Sequence, residues 1–359
     1  MAKTVVHVVG TGTIGEPLIG LLCDFREELG IDEVTFHKRT PLYTDRSKVR
    51  ALIERGARFV SDSKSFDGFR EIGLEPELET HEALDNATVV IDCTPSGVGH
   101  QNKNDYYSRF QHNTKGFLAQ GSEAGFGKPY ARRINDAALV PGEDQFIQVV
   151  SCNTHNISVL VDAIALADGG PQNLVAGQFV CIRRANDISQ DGSFVPAPEV
   201  GKHKDPRFGT HHAQDAWRLF NTLGYDLALH SSALKINTQY MHTIWFTITV
   251  RNKTSLDDII ARMEANDRIA LTHKKSANAV FSFGRDHGHF GRILNQAVVP
   301  RQTLAIRETD RGFEVVGFCY TPQDGNSLLS SVAAACWMIN PADYNERVQC
   351  LGKYFFDEV

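Results

Sequence analysis

The sequence predicts two domains of different classes, an α/β domain with a doubly wound parallel sheet and an α+β domain with a mostly antiparallel sheet. Three observations lead to this prediction. The chain has 359 residues, which is too long for one small core and typical of two domains. Short apolar strands alternate with helices in the N-terminal third, and longer strand-like segments dominate the second half.

The first half alternates strands and helices, as a parallel sheet requires. A helix over 14–29 is expected to end at Gly30, and a helix over 47–55 at Gly56, because glycine readily closes a helix. The strands of this half are predicted at 4–9, 33–36, 87–92, 117–120 and 146–152. Short strands separated by helices favour a parallel doubly wound sheet.

The second half contains a helix over 156–166, a closing helix over 326–338 and several longer strands. The strands are predicted at 174–182, 226–230, 242–250, 303–307 and 313–319. A polar segment over 187–208, rich in proline and glycine, is predicted to be a long loop, and such loops are often functional. This half therefore belongs to the α+β class.

Composition and charge exclude several classes of function. The formal net charge of −6 leaves no basic footprint for nucleic acid, although a local arginine cluster can still bind a small anion. No apolar run approaches membrane-spanning length, so no membrane association is expected. The seven cysteines are odd in number and none has C-x-x-C spacing. We therefore expect no disulfide framework, no metal and a reducing cytoplasmic location.

A glycine-rich turn follows the first strand. Gly10, Gly12 and Gly15 form a G-x-G-x-x-G pattern that opens the first predicted helix, with Thr13 and Ile14 inside it. The first glycine allows the tight turn, the second lets the backbone approach a pyrophosphate, and the third lets helix and strand pack closely. The helix N-terminus supplies free N–H groups to phosphates. This context indicates a Rossmann-type dinucleotide-binding domain, and a plain glycine-rich turn is the alternative.

The end of the second strand selects between the two nicotinamide dinucleotides. An NAD site usually has Asp or Glu there, which accepts a hydrogen bond from the ribose 2′-hydroxyl. This chain has His37, Lys38, Arg39 and Thr40 instead, and cations and a hydroxyl suit a 2′-phosphate. NADP is therefore expected, with NAD as the second choice, and a solvated basic turn is the alternative.

A second turn-rich segment follows the strand over 87–92. Thr94, Pro95 and Gly97 fall at the carboxyl end of a parallel strand, where ligands bind in doubly wound sheets. We expect this segment to line the cofactor. The adjacent Cys93 is expected to pack within the sheet.

One cysteine, Cys152, directly follows an apolar run and has the hydrogen-bonding neighbours Ser151, Asn153 and Thr154. A catalytic thiol needs a nearby base or cation and often a helix N-terminus, because the thiolate is the nucleophile. A predicted helix follows Cys152, which meets the last condition. His242 starts an apolar strand, where it is either a buried core residue or a positioned base.

Two pairs of polar residues are candidates for substrate binding. Arg183 and Arg184 end a predicted strand, and paired arginines can hold a phosphate through two parallel hydrogen bonds. His211 and His212 follow the long loop. For any one such pair, a surface cluster that makes salt bridges is the default alternative.

These motifs resemble those of the archaeal-type (class II) glyceraldehyde-3-phosphate dehydrogenases, in the same order and over almost the whole chain. The matching pieces are 10–15, Lys38, 90–95, 97–99, 101–103, 120–123, 149–154, 183–185, 210–212, 241–242, 291–292 and 322–326. The match is densest up to His242. Its most specific part is the Ser-Cys-Asn-Thr segment with Met-His downstream.

The resemblance implies that the Cys152 thiolate attacks an aldehyde, that His242 is the general base, and that inorganic phosphate releases an acyl thioester after hydride transfer. It also makes Lys38 a contact of the NADP 2′-phosphate and Asn326 a contact of the nicotinamide amide. The implied cofactor residues are Gly10, Gly12, Thr13, Ile14, Gly15, Lys38, Arg39, Thr94, Pro95, Gly97, Gly121 and Asn326. The implied substrate- and phosphate-binding residues are Ser151, Asn153, Thr154, Arg183, Arg184, His211 and His212.

The resemblance further implies a domain organisation and a setting. The cofactor domain is expected to be discontinuous, 1–151 with 325–359, around a catalytic domain over 152–324. The protein is expected to be a cytoplasmic homotetramer of glycolysis or gluconeogenesis that takes a phosphorylated aldehyde and inorganic phosphate.

Three departures from the family leave the exact aldehyde open, and one of them is the poor match of the segment 124–138. Gly121-Ser122-Glu123 stands where the family usually has two glycines before the acidic residue, and 90 residues separate Cys152 from His242, somewhat more than usual. The extra residues fall mainly in the 187–208 loop, beside the paired histidines. The alternatives are a semialdehyde enzyme such as aspartate-semialdehyde dehydrogenase, a non-phosphorylating aldehyde dehydrogenase, and a dinucleotide-binding protein without activity.

Overall fold

The computed structural model describes residues 3–121, 123–188, 190, 192, 194–322 and 324–359. Ser122 and Gln323, which belong to two of the matching motifs, lie outside the described residues, as do three positions of the 187–208 loop. The chain forms two compact units. The first comprises Met1–Arg132, Leu139–Val149 and Leu328–Gly352, and the second comprises Arg133–Ala138, Val150–Ser327 and Lys353–Val359.

The strands and helices of the described residues follow in chain order. The strands are β1 (Val5–Val9), β2 (Glu33–His37), β3 (Arg58–Ser61), β4 (Leu78–Glu79), β5 (Val89–Asp92), β6 (Gly116–Gln120), β7 (Lys128–Tyr130), β8 (Phe146–Val149), β9 (Leu174–Arg183), β10 (Glu199–Val200), β11 (Leu229–Lys235), β12 (Thr243–Val250), β13 (Ile269–Thr272), β14 (Ala297–Pro300), β15 (Ala305–Thr309) and β16 (Gly312–Tyr320). The helices are α1 (Gly15–Asp24), α2 (Arg46–Glu54), α3 (Phe66–Glu71), α4 (Thr80–Asn86), α5 (Val98–Asn102), α6 (Ser108–Phe110), α7 (Cys152–Ile164), α8 (His211–Asn221), α9 (Leu256–Glu264), α10 (Ala277–His287), α11 (Gly325–Ile339) and α12 (Tyr344–Val348).

The first unit is built on a parallel sheet. Its described strands follow the order β4-β3-β2-β1-β5-β6-β8-β7, and each neighbouring pair is parallel. The central strands are buried: Val6, Val8, Phe36 and Ile91 have no exposed surface. The strand order reverses between β1 and β5, so a ligand crevice is expected outside their carboxyl ends. This arrangement confirms the predicted Rossmann-like sheet.

Two element boundaries in this part of the chain differ from the predictions. Helix α1 ends at Asp24, and residues 25–30 continue as turns that close at Gly30, whose φ of +70° lies in the left-handed region. Phe25 and Leu29 stay buried there, which explains why the apolar pattern resembled a longer helix. Strand β8 ends at Val149, because Ser151 acts as an N-cap and Cys152 already begins α7.

The sheet of the second unit is mixed. Its described strands follow the order β10-β11-β9-β12-β16-β14-β13, with β15 paired to β16. Strand β12 is antiparallel to both β9 and β16, whereas β11 runs parallel to β9 and β13 runs parallel to β14. The sheet is therefore mixed, and the prediction of a mostly antiparallel sheet is not confirmed. The sequence pattern did not indicate β13 and β14, which form one of the two parallel pairs among the described strands.

Helix α7 is the central helix of the second unit. It packs against β9, β12 and β14 and also against α8 and α9. Of its thirteen residues, only Cys152 and Asp162 are not buried, so the helix is covered on nearly every side. This burial fixes the position of its N-terminus, where Cys152 lies. In the described part of the chain, no helix is long and apolar enough to cross a membrane.

Candidate functional site

The glycine turn after β1 has the geometry that close backbone approach requires. Gly10 has a φ of +99°, and a Cβ at Gly15 would lie 2.0 Å from the carbonyl oxygen of Gly10. A Cβ at Gly12, by contrast, would meet no atom within 4 Å, so its Cα faces open space. Gly10 therefore allows the tight turn, Gly15 allows the close contact between helix and strand, and Gly12 leaves the backbone open to a ligand.

A cavity of about 450 Å³ opens at this turn, within the first unit. Its volume is in the range of small-molecule sites. One wall carries basic and polar side chains after β2 and β3, and the opposite wall comes from the segment after β5. The residues that form these walls include His37, Lys38, Arg39, Thr40 and Lys64 on one side and Thr94, Pro95 and Val98 on the other. The structure thus brings the predicted Lys38, Arg39, Thr94 and Pro95 to one cavity.

Two carboxylates that the sequence reasoning did not single out accompany these cations. The Asp45 carboxylate forms an ion pair with Lys38 at 2.7 Å and a second one with Lys48 at 3.4 Å. Burial by itself would raise the pKa of Asp45, but its bonds to the two lysines outweigh burial and hold the pKa below its ordinary value. Asp62 lies 3.4 Å from Nε2 of His37, and its interaction with this ring lowers the pKa of Asp62. The end of β2 is therefore not purely basic.

The segment after β5 is held by the buried carboxylate of Glu123. One carboxylate oxygen accepts a hydrogen bond from the backbone N of Gly97, and the other accepts one from the backbone N of His100 at 3.0 Å. The first turn of α5 is thus already capped by a protein carboxylate. Gly121 has a φ of +47° and donates its N–H to the carbonyl of Val149. Cys93 is half-buried, and desolvation together with the charge of Asp92 raises the pKa of its thiol.

Cys152 is the first residue of α7. Ser151 caps this helix, because its Oγ accepts a hydrogen bond from the backbone N of Thr154. Desolvation raises the pKa of the half-buried Cys152 thiol to about 12, and nearby Asp324 raises it further, whereas Arg184 favours the thiolate. The thiol is therefore protonated at neutral pH in this state, with one cation placed to help ionise it.

His242 lies next to Arg184. The backbone N of Arg184 donates a hydrogen bond to Nδ1 of His242 at 3.0 Å. Burial, followed by the charges of Arg184 and Arg183, lowers the pKa of His242 well below its ordinary value. The ring is therefore neutral, and since Nδ1 accepts, its hydrogen lies on Nε2. Among the described residues, no hydrogen bond joins Cys152 to His242.

The paired arginines have different environments. Arg184 is buried, and its guanidinium contacts Asp187 at 2.6 Å, Asp324 at 3.8 Å and the carbonyl of Tyr240 at 3.1 Å. Arg183 is exposed, and its guanidinium makes no ion pair within the described residues. The expectation that both arginines share one phosphate thus meets a structure in which the Arg183 guanidinium is exposed, whereas Arg184 keeps only its Nε without a hydrogen-bond partner among the described residues.

The paired histidines begin α8, with ring centroids 4.0 Å apart. Partial desolvation of the exposed His211 and burial of His212 lower the pKa of both rings, and the charge of Arg183 lowers them further. His212 is buried, and neither of its ring nitrogens has a hydrogen-bond partner among the described residues. The structure therefore places Arg183, His211 and His212 in one electrostatic neighbourhood, with unused donor capacity for an anion.

Two further predicted residues lie close to Cys152 in the second unit. Asn153 is buried, and its Oδ1 accepts a hydrogen bond from Thr321 at 3.4 Å. Asn326 has no exposed surface and donates its amide hydrogens to the carbonyls of Cys152 and Gln296. No group of three His, Cys, Asp or Glu side chains in the described ranges could hold a metal ion.

Comparison with known proteins gives a consistent family signal at low identity. No family model matches the chain. It is 26% identical over 314 residues to the glyceraldehyde-3-phosphate dehydrogenase of Sulfolobus acidocaldarius, covering 85% of this chain and 84% of that protein. The enzyme of the same name from Methanobacterium formicicum is 27% identical over 315 residues, covering 84% and 85% respectively. That of Thermoplasma volcanium is 25% identical over 348 residues, covering 96% of this chain and 95% of its own length. Similarity over most of the chain to several archaeal proteins thus supports its place in the glyceraldehyde-3-phosphate dehydrogenase family.

Proposed function

We propose that this protein is a phosphorylating glyceraldehyde-3-phosphate dehydrogenase of the archaeal, class II type. The observation that carries the proposal is the position of Cys152 at the start of the buried helix α7, where the Arg184 charge favours its thiolate. The similarity to archaeal enzymes of that name supports the same reaction. The proposed assembly is a cytoplasmic homotetramer.

The first unit offers a site that fits a nicotinamide dinucleotide. The open space at Gly12 suits a pyrophosphate, and the cavity beside it suits the adenosine half. We propose that Lys38 and Arg39 bind the 2′-phosphate of NADP, with NAD as a second cofactor. Gly10, Gly12, Thr13, Ile14 and Gly15 would face the phosphates, while Thr94, Pro95, Gly97 and Gly121 would border the cofactor. When bound, the nicotinamide supplies a hydride acceptor.

The chain's own residues account for the other steps. Arg184 offsets part of the negative charge when Cys152 ionises, and the thiolate adds to the aldehyde carbon. The aldehyde oxygen then carries negative charge. His242 can donate its Nε2 hydrogen to that oxygen, as can free N–H groups of the first turn of α7. We also propose that His242 is the general base. To accept a proton at Nε2, the ring must first carry its own hydrogen on Nδ1, and it then loses the hydrogen bond from the backbone N of Arg184.

Anion binding completes the proposed mechanism. Arg183, His211 and His212 would hold the phosphate of the substrate or the inorganic phosphate that attacks the thioester, with Ser151, Asn153 and Thr154 close to the acyl group. Arg184 would act on Cys152 rather than on the phosphate, since its guanidinium already contacts two carboxylates. Both ring nitrogens of His212 lack a hydrogen-bond partner among the described residues, which supports a role for His212 in binding the phosphate.

A steady-state assay tests the proposal. The purified protein is given glyceraldehyde 3-phosphate with NADP or NAD, with and without inorganic phosphate, and reduction of the cofactor is followed at its absorbance. We expect activity with NADP that depends on phosphate. Equal activity without phosphate would indicate a non-phosphorylating enzyme, a preference for aspartate semialdehyde would indicate the related semialdehyde enzymes, and no turnover of any aldehyde would contradict the proposal.

A further inference from the structure

Two buried side-chain amides meet at the backbone carbonyl of Cys152. The Nδ2 of Asn156 donates to the carbonyl oxygen of Cys152 at 3.1 Å and to that of Gln296 at 2.8 Å. The Nδ2 of Asn326 donates to the same two oxygens, at 3.1 Å and 3.2 Å. Asn156, Asn326 and Gln296 have no exposed surface. Each NH2 group therefore uses both of its hydrogens to bridge the same pair of carbonyls, and we name Asn156 and Asn326 the amide clamp.

The far oxygen of each amide is also held. Oδ1 of Asn156 accepts a hydrogen bond from the thiol of Cys319 at 3.1 Å, and Oδ1 of Asn326 accepts one from the backbone N of Ser327 at 2.8 Å. Rotating either amide by half a turn would place its oxygen against two carbonyl oxygens and leave a donor facing a donor. The orientation of the amide clamp is therefore determined by its surroundings.

The amide clamp acts on the residue that carries the reactive thiol. Cys152 is the first residue of α7, so its backbone orientation decides where the thiol points. Desolvation and the charge of Asp324 both raise the pKa of this half-buried thiol. The amide hydrogens offset part of the negative charge on the carbonyl oxygen of the residue that carries the sulfur, and less negative charge in that residue favours the thiolate.

We propose that Asn156 and Asn326 are positioning residues for Cys152, which fix the first turn of α7 and favour ionisation of the thiol. This proposal rests on the proposed role of Cys152 as nucleophile. It assigns Asn326 to Cys152, where the family resemblance assigns it to the nicotinamide amide. Asn156 acts from within α7, and Asn326 acts from 174 residues along the chain.

The test compares Asn156→Ala and Asn326→Ala with the control Asn173→Ala in the full-length protein. Asn173 is also buried and also donates its amide to a backbone carbonyl, that of Ala165 at 2.9 Å, near the opposite end of α7. The rate of alkylation of Cys152 by iodoacetamide is measured against pH by mass spectrometry of its peptide. Cofactor dissociation constants, kcat and thermal midpoints are measured on the same samples.

We expect each clamp variant to slow Cys152 alkylation at pH 7 about tenfold, because the pKa of the thiol rises by about one unit. The decrease in kcat should be similar, while the cofactor dissociation constant stays within about twofold of wild type. Asn173→Ala should lower the thermal midpoint without moving the alkylation profile. Should an alanine variant not fold, Asn156→Leu and Asn326→Leu remove the donors while keeping a similar side-chain size and adding no charge.

Two outcomes would overturn the proposal. One is an alkylation profile in both clamp variants that matches wild type. The other is a clear weakening of cofactor binding by Asn326→Ala with an unchanged alkylation profile, which would return Asn326 to the cofactor. Since alkylation does not require turnover, a protein inactive on every aldehyde would contradict the proposed function while leaving this test readable.

Discussion

At the residue scale, the chemistry depends on how each charged or nucleophilic side chain is paired. Arg183 and Arg184 are neighbours in sequence, yet one guanidinium is exposed and the other is buried against Asp187 and Asp324. Lys38 shows the same effect, because its ammonium already pairs with Asp45. A residue type therefore indicates what a side chain can bind, and its neighbours decide whether it is available.

Replacing Cys152 by serine should abolish turnover while cofactor binding stays nearly intact. A serine hydroxyl ionises far less readily than a thiol and is a weak nucleophile, so the acyl intermediate does not form at a useful rate. We expect kcat to fall by at least about 10³-fold. The measurement is the rate of cofactor reduction with glyceraldehyde 3-phosphate, and Cys350→Ser is the control. Substantial residual activity in Cys152→Ser would remove Cys152 from the mechanism.

Replacing Asp45 by asparagine should shift cofactor preference toward NADP. The Asp45 carboxylate holds Lys38 at 2.7 Å and repels a 2′-phosphate that approaches the same ammonium. Removing about 1 kcal/mol of repulsion should raise the ratio of NADP to NAD affinity about fivefold. Fluorescence titration of both cofactors measures the ratio. The exposed Asp67, replaced by asparagine, serves as the control, and an unchanged ratio in Asp45→Asn would place the 2′-phosphate away from Lys38.

At the element scale, short elements are held in place by contacts from elsewhere in the chain. Helix α5 has five residues, too few to be stable alone, and Glu123 caps it from 23 residues away. Helix α7 is longer and begins with its own cap, Ser151. The start of α7 could therefore be anticipated from the sequence, whereas the fixed geometry of the segment after β5 depends on Glu123.

Replacing Glu123 by alanine should weaken cofactor binding through the segment after β5. The variant loses the acceptors for the backbone N–H groups of Gly97 and His100. Since charged hydrogen bonds are worth about 1.5–3 kcal/mol, we expect the dissociation constant of NADP to rise at least about tenfold. Titration calorimetry would measure this, with the exposed Glu82→Ala on α4 as control. A dissociation constant equal to that of wild type would show that the capped segment does not border the cofactor.

At the scale of the whole molecule, both units bury neutral histidines. Burial, with a smaller contribution from His37, lowers the pKa of His7 in the first unit to about 3. Burial lowers the pKa of His155 in the second unit to about 4. His212 and His242 are lowered in the same direction. The folded chain therefore resists protonation at sites where the unfolded chain accepts a proton.

The difference in histidine pKa between the folded and the unfolded chain predicts a loss of stability in mild acid. Unfolded histidines take up a proton below their ordinary pKa of about 6.5, while the folded ones stay neutral until about pH 4 or lower. The contribution to stability is thus complete above pH 6.5 and is lost as the pH falls from there toward 4. The thermal midpoint should decrease as the pH is lowered from 7 to 4.5.

One variant tests whether His7 contributes to this decrease of the thermal midpoint. His7→Gln should show a shallower decrease than wild type, because one buried titratable group is gone. His112→Gln, at an exposed position, is the control and should keep the wild-type slope. An unchanged slope in His7→Gln would mean that the burial of His7 does not contribute to the acid sensitivity.

Local signals made part of the fold and site predictable. The alternation of strands and helices gave the parallel sheet, and the glycine spacing after β1 placed the tight turn, because both depend on residues close together in sequence. The same patterns mistook the turns over 25–30, where Phe25 and Leu29 are buried, for helix, and they did not indicate the fully buried strands β13 and β14. Burial on several sides removes the periodicity that such predictions need.

What the sequence determined by itself is the local chemistry of this protein, and what the tertiary structure decided is which groups meet. The glycine turn and the cysteine after an apolar run are readable from neighbouring residues, and the chain is similar at low identity to archaeal proteins named glyceraldehyde-3-phosphate dehydrogenase. Only folding pairs Lys38 with Asp45, closes the segment after β5 with Glu123 and places Asn326 on the carbonyl of Cys152. The physical reason is that these contacts join separate elements, and their strength comes from burial and distance, which sequence spacing does not encode.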